Sequence, residues 1–261
     1  MLTRLAEPGA GIDVIVIEAS GLAEPQNIVR MLLYSENPGI VYGGLVEVVD
    51  AAELTATRAV HPELDKHLRF ADLVVLNKAD RVSTDALAEV RAVVDSLAGG
   101  TPVLPVVHGA VDPALLFDTV AVAEDGPRQL SLDELLLDAD DHSQHAHARY
   151  TSVPFSTRQP MHPRRFAAFL DERPEGLYRM KGHVYFGVPE YTGRFGLHTV
   201  GSYLRFTWSA WPRGMARGTE LVMIGTELDS AMLTRHLESC LREDGEELDE
   251  NAMLPVLRHT E

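Results

Sequence analysis

The sequence predicts an α/β fold: a parallel-sheet unit first, then an α+β unit with an antiparallel sheet. Three observations carry this. Short Val- and Ile-rich runs alternate with helical periodicity over 1–117, as in a sheet covered by helices on both faces. From residue 150 onward several strand-like segments follow one another, with helices at either end. Between these regions, over 118–148, Asp, Glu, His, Gly and Pro dominate, which is the composition of a linker. The expected domains are therefore 1–117, an acidic His-containing linker at 118–148, and 149–261.

In the first unit the runs Val14 to Ile17, Leu45 to Val49, Leu73 to Leu76 and Val103 to Val107 read as buried strands. Helical patterns lie between them. They span Pro25 to Leu33, Ala51 to Leu68 with a break at Pro62, and Thr84 to Leu97, the last with Ser83 or Thr84 as its cap and Gly99 near its stop. The linker holds one amphipathic stretch, Leu130 to Leu137, read as a short helix. In the second unit the strands are expected at Tyr150 to Phe155, Leu177 to Phe186, Phe195 to Val200, Tyr203 to Trp208 and Glu220 to Ile224. Helices are expected at His162 to Asp171 and Asp229 to Leu241.

Composition narrows the function classes. The chain has 261 residues, 45% of them apolar and 24% charged, with 20 Gly and 15 Pro, which is ordinary for a globular protein. Its net charge of -16 repels phosphate backbones and anionic lipid, so neither nucleic acid nor membrane is an expected partner. A single cysteine, Cys240, permits no internal disulfide and no thiolate-rich zinc site, and it reads as a buried helix residue. Without a signal-peptide-like start or an apolar run of spanning length, the expected location is the cytoplasm.

The sharpest motif is Asn77-Lys78-Ala79-Asp80, directly after the run Leu73 to Leu76. A carboxylate there accepts from two donors on a guanine ring edge, a Lys stem can lie over the base, and an Asn can tie neighbouring loops together. With 4 Asn, 3 Lys and 18 Asp in the chain, chance occurrences of N-K-x-D number only about 0.003. The second motif, Glu18-Ala19-Ser20-Gly21, closes the run Asp13 to Ile17. Ligands gather at the carboxyl ends of strands in open α/β sheets, where an acidic residue can hold Mg²⁺ or its water and a Gly lets backbone approach a phosphate.

His142, His145 and His147, beside Glu134, Asp138, Asp140 and Asp141, could chelate zinc, although three His in a loop read better as a solvated linker. Arg158, His162, Arg164, Arg165, Arg179, Lys181 and His183 give a local basic surface, and the aromatics from Tyr185 to Trp211 read as sheet core and edge.

Taken together, Glu18 to Pro25 (EASGLAEP), Val49-Asp50, Asn77 to Asp80 (NKAD) and His108-Gly109 with Asp112 (HGAVD) resemble the successive motifs of the CobW family of P-loop GTPases. In the second unit Arg158-Gln159-Pro160, the helix after His162-Pro163, Tyr178 to Gly182, Val200-Gly201 and Leu221 to Gly225 resemble the CobW C-terminal domain. The resemblance implies an incomplete P-loop NTPase sheet followed by an α+β CobW C-terminal domain. It further implies GTP and Mg²⁺ as cofactors, hydrolysis coupled to delivery of zinc or cobalt, and a client metalloprotein or metal-homeostasis partner; homo-oligomerisation it leaves open.

By the same resemblance Asp80 reads guanine, Lys78 lies against the base and Asn77 braces the loop. Glu18 serves the Mg²⁺ side, Gly21 the γ-phosphate side, and His108-Gly109 the loop behind the base. The chain departs from the family pattern in two places: it contains no Gly-Lys dipeptide, hence no GxxGxGK[ST] loop, and one Cys cannot supply a CxCC motif. Gly9-Ala10-Gly11 precedes a strand-like run instead of following one and reads as a surface turn. Hydrolysis by this chain is accordingly expected at background, and an in-frame phosphate loop upstream of Met1 would mean that the start has been placed late. The reading from a different class is a non-catalytic interaction or weak metal-binding module that uses its C-terminal domain.

Overall fold

The computed structural model describes residues 2–7, 9–19, 24–117, 150–249 and 251–260. They fall into two compact units, one drawn from Met1–Gly99 and Pro105–Val120, the other from Gly100–Leu104 and Ala121–Glu261. The helical stretch expected at Leu130 to Leu137 lies outside the described residues.

The first unit opens with helices α1 (Leu2–Leu5) and α2 (Pro25–Leu33). Strands β1 (Val46–Asp50), β2 (Leu73–Asn77) and β3 (Val103–Pro105) form a three-stranded sheet in that order. β1 and β2 pair in parallel, with Asp50 opposite Asn77. Helices α3 (Leu54–Val60) and α4 (Leu64–Phe70) connect them, and the expected break at Pro62 falls between the two. Pro cannot donate the helical hydrogen bond, so the pattern splits there. Helix α5 (Thr84–Ala98) starts at Ser83, whose hydroxyl accepts from the Ala86 N–H, and stops at Gly99 in the left-handed conformation.

Leu73, Val74, Val75 and Leu76 are exposed by no more than 3%, as a strand covered on both faces should be. The edge strand differs: Val48 is 61% exposed. The strand expected at Val14 to Ile17 is not formed. Residues 11–19 are neither strand nor helix and all are exposed, with Val16 at 75%. An extended segment becomes a strand only when a neighbour supplies its ladder of hydrogen bonds. Among the described residues β1 pairs only with β2, and no strand pairs with 13–17. β3 also ends at Pro105 instead of Val107, and a short helix α6 (Pro113–Leu116), capped by Asp112, follows.

The second unit holds β4 (Tyr150–Thr157), β5 (Leu177–Val184), β6 (Arg194–Val200), β7 (Tyr203–Ser209) and β8 (Thr219–Thr226). They form an antiparallel sheet in the order β4-β8-β5-β6-β7. Helices α7 (Pro163–Asp171), α8 (Ser230–Ser239) and α9 (Leu254–Leu257) supply Phe166, Phe169, Leu170, Leu233, Leu237 and Val256 to one core. The sheet answers with Val153, Phe155, Met180, Val184, Phe195, Leu197, Leu221 and Met223. Each such side chain contributes roughly 1.5–3 kcal/mol on burial.

Phe186, Phe195 and Phe206 meet edge to face with centroids 5.4 to 6.4 Å apart, whereas Trp208 is 55% exposed on the edge strand β7. Gly182 has a positive φ of 140°, and a Cβ there would lie 2.0 Å from the Glu220 carbonyl oxygen across the ladder, so no other residue fits. Cys240 is buried, with its thiol on the His236 carbonyl. Among the described residues no helix is long and apolar enough to cross a membrane.

Candidate functional site

The carboxyl end of the first sheet gathers three loops. β2 ends at Asn77, half-buried, and its side chain is the knot: Oδ1 accepts from the Lys78 N–H at 2.8 Å and from the Gly109 N–H at 2.9 Å. That ties the NKAD loop to the His108-Gly109 loop across 32 residues of sequence. Two backbone bonds run alongside, Val106 N–H to the Leu76 carbonyl and Ala79 N–H to the Val106 carbonyl. His108 and Gly109 both take positive φ, 53° and 65°, the backbone cost of a tight turn that aims the Gly109 N–H at Asn77.

Lys78 is also left-handed, at φ 58° and ψ 35°. A non-glycine residue in this region is uncommon and is held there by its surroundings. Here the hold is at both ends of the residue: the backbone N–H is on Asn77, and Nζ is on Asp50 Oδ2 at 2.6 Å. Asp50 closes β1, and its Oδ1 also accepts from the Ala52 N–H at 2.9 Å. The Lys78 ammonium is the main reason that the Asp50 carboxyl titrates below its usual range. Asp80 stands in a single 3₁₀ turn, Ala79–Arg81, with its carboxylate exposed and without a side-chain hydrogen bond or ion pair among the described residues. An exposed acceptor pair, on the same loop as a Lys whose stem is aliphatic, is what a planar ring with two adjacent N–H donors needs.

The phosphate side is different. Glu18 lies in the exposed run 11–19, not at a strand end, and Gly21 lies outside the described residues. Gly9 and Gly11 take positive φ with open space around their Cα atoms. Neither strand nor helix follows over 11–19, so no strand-loop-helix cradle stands there. Among the described residues, the stretch 9–19 forms no cradle for a triphosphate and its Mg²⁺. His142, His145 and His147 lie outside the described residues, among which no group of three or more His, Cys, Asp or Glu is placed to hold a metal.

Of the basic surface expected on the second unit, Arg179 and His183 are buried instead, and His162, Arg164 and Arg165 face carboxylates of the same unit. Arg164 meets Asp249 at 2.8 Å, and Arg165 forms a two-pronged pair with Glu246 at 2.8 Å on each prong. His162 is 3.4 Å from the same carboxylate. Arg165 and a backbone N–H pull the Glu246 carboxyl down to about 2. This cluster fastens α7 to the segment after α8.

Sequence reading placed Asp50 in the Val49-Asp50 motif but gave it no role. Its signal was available, an acidic residue closing a strand in register with Asn77, but its partner lies 28 residues away.

Comparison with known proteins gives a consistent result for both units. Residues 1–105 match the CobW/HypB/UreG nucleotide-binding domain, and residues 150–241 match the cobalamin synthesis protein cobW C-terminal domain. A zinc chaperone CobW from a Sinorhizobium species is 29% identical over 262 residues, covering 88% of this chain and 72% of the relative. A zinc chaperone CobW from Pseudomonas aeruginosa is also 29% identical, covering 92% of this chain and 70% of its own. Among solved structures, the Zn(II)-bound YjiA GTPase from E. coli shares 20% identity at a TM-score of 0.36, over 85% of this chain and 69% of that one.

Proposed function

The chain belongs to the CobW family, and from that premise we propose that its first unit recognises the guanine base of GTP in the service of zinc or cobalt delivery to a client metalloprotein. The observation that carries the base reading is the Asn77 knot, which holds the NKAD and His108-Gly109 loops together while Asp80 stays exposed. In the bound state the Asp80 carboxylate accepts from guanine N1–H and the exocyclic amine, and the Lys78 stem covers one ring face. Adenine offers no such donor pair. A site built to satisfy hydrogen bonds rejects a ring that leaves them unmade.

The metal part of the proposal is carried over from the two relatives named zinc chaperones. Zinc then belongs to the chain as cargo, with His142, His145 and His147 as its proposed weak ligands in the cytoplasm. Glu18 and Gly21 keep their proposed places on the Mg²⁺ and γ-phosphate sides by resemblance alone. Turnover by these 261 residues is expected at background, because the backbone N–H groups and Lys of a phosphate loop supply the charge stabilisation that phosphoryl transfer needs.

The test is ligand-detected NMR on the 261-residue chain with GDP, ADP and xanthosine diphosphate. GDP should show transfer to its base protons and ADP should not. Asp80→Asn should exchange GDP for the xanthine nucleotide, whose C2 carbonyl matches an amide donor. Equal responses to GDP and ADP in the unmutated chain would overturn the base reading. GTP turnover that is clearly present in the unmutated chain and abolished by Asp80→Asn would overturn the expectation of background hydrolysis.

A further inference from the structure

The Lys78 side chain has two carboxylates to choose between, and the fold has chosen. Asp80, two residues along the same loop, is exposed, whereas Asp50, on the neighbouring strand end, takes the ammonium at 2.6 Å. The choice has a geometric origin. Asp50 and Asn77 are opposite one another in the parallel register, and the Ala51 N–H bonds the Asn77 carbonyl at 2.9 Å, so the two strand ends are locked side by side. Asn77 then fixes the Lys78 N–H. The left-handed turn at Lys78 accompanies a side chain directed back over the end of β1 instead of forward along its own loop. Asp50 is held from its other side as well, since its other oxygen accepts from the Ala52 N–H.

We propose that Asp50 is a positioning residue for base recognition: by holding the Lys78 ammonium it fixes where the aliphatic stem lies and keeps the Asp80 carboxylate free to read the base. The inference rests on the base reading above and adds a specificity element to it. Without Asp50 the ammonium has no anchor on β1, and the other carboxylate on its own loop is Asp80. An ammonium bound there competes for the acceptors that guanine requires. The expected consequence is a loss of discrimination between rings that differ only at the amine, more than a general loss of binding.

Inosine diphosphate, which lacks the exocyclic amine, is the probe, and the readout is the ratio of GDP to IDP affinity in the full chain. Asp50→Ala should lower this ratio by about tenfold, the worth of one charge-assisted hydrogen bond. Asp50→Asn should do the same, since it keeps the side-chain volume and an oxygen for the Ala52 N–H but loses the charge, and it covers the case in which the alanine variant folds poorly. In the double variant Asp50→Ala with Lys78→Met the ratio should recover, because the competing ammonium is gone while the apolar stem remains. A purely structural role for Asp50 would show no such recovery, and the non-additivity of the pair is the signature. An unchanged ratio in both single variants, with the unmutated chain selecting GDP over ADP, overturns the positioning role and leaves the base reading intact. A chain that fails to select GDP over ADP overturns both.

Discussion

The two sheets of this protein are held by different means. The second joins five strands and closes over a core in which Phe166, Phe195, Met180, Leu221 and Met223 are 0% exposed. The first joins three, and around the buried run Leu73 to Leu76 of β2 it leaves Val48 at 61%, Val16 at 75% and Tyr34 at 83% exposed. A parallel sheet is ordinarily covered on both faces and continued at its edges, and an unpaired apolar edge is a template for association. The unit that carries the proposed chemistry is thus the one whose described residues complete less of their own packing. Its precision is local and comes from polar ties among Asp50, Asn77, Lys78 and Gly109. In the second unit precision comes from packed aromatic and aliphatic side chains.

The largest expected effect is on autonomy. Residues 149–261 expressed alone should give a cooperative thermal transition with strong hydrogen-exchange protection, and residues 1–117 alone should aggregate or stay loosely packed. A soluble, well-protected 1–117 fragment would break the comparison. Next comes Phe166→Ala, which removes a ring at 0% exposure and should cost the second unit about 3–5 kcal/mol. Denaturant melts would show the loss, and GDP signals in ligand-detected NMR should be unchanged.

Asn77→Ala should be milder in stability, roughly 1–2 kcal/mol from two hydrogen bonds. Yet it should lower GDP binding out of proportion, because the two loops lose their tie. Comparable losses in both measurements would mean that Asn77 is structural only. Smaller still is the effect at Glu246, the half-buried partner of Arg165. The Arg165 guanidinium pulls the folded Glu246 carboxyl down to about 2, below the ordinary 4.5. A depressed carboxyl stabilises above its unfolded value and loses that contribution as pH falls through the folded one, so the window runs from about 4.5 down to about 2. Glu246→Gln should lower the melting temperature at pH 7, and the gap to the unmutated chain should close across that window. A gap independent of pH would assign the loss to packing.

Much of this was legible in the sequence because it is local. The split at Pro62 and the Ser83 cap with Gly99 at the stop each depend on residues within one helical turn. The apolar run Leu73 to Leu76 is buried because four consecutive aliphatic side chains require cover on both faces. The NKAD motif marks a candidate base site by residue type alone, whatever surrounds it.

Tertiary structure decided the rest, since it depends on which distant segments meet. Val14 to Ile17 has the composition of a strand and is none, because a ladder needs a neighbour and no local pattern shows whether one is present. The ties from Asp50 to Lys78 and from Asn77 to Gly109 span 28 and 32 residues, and they exist because the parallel register of β1 on β2, together with the turn at His108-Gly109, sets those groups side by side. Composition supplies the carboxylate, the ammonium and the amide; only strand pairing brings each within hydrogen-bond reach of the others.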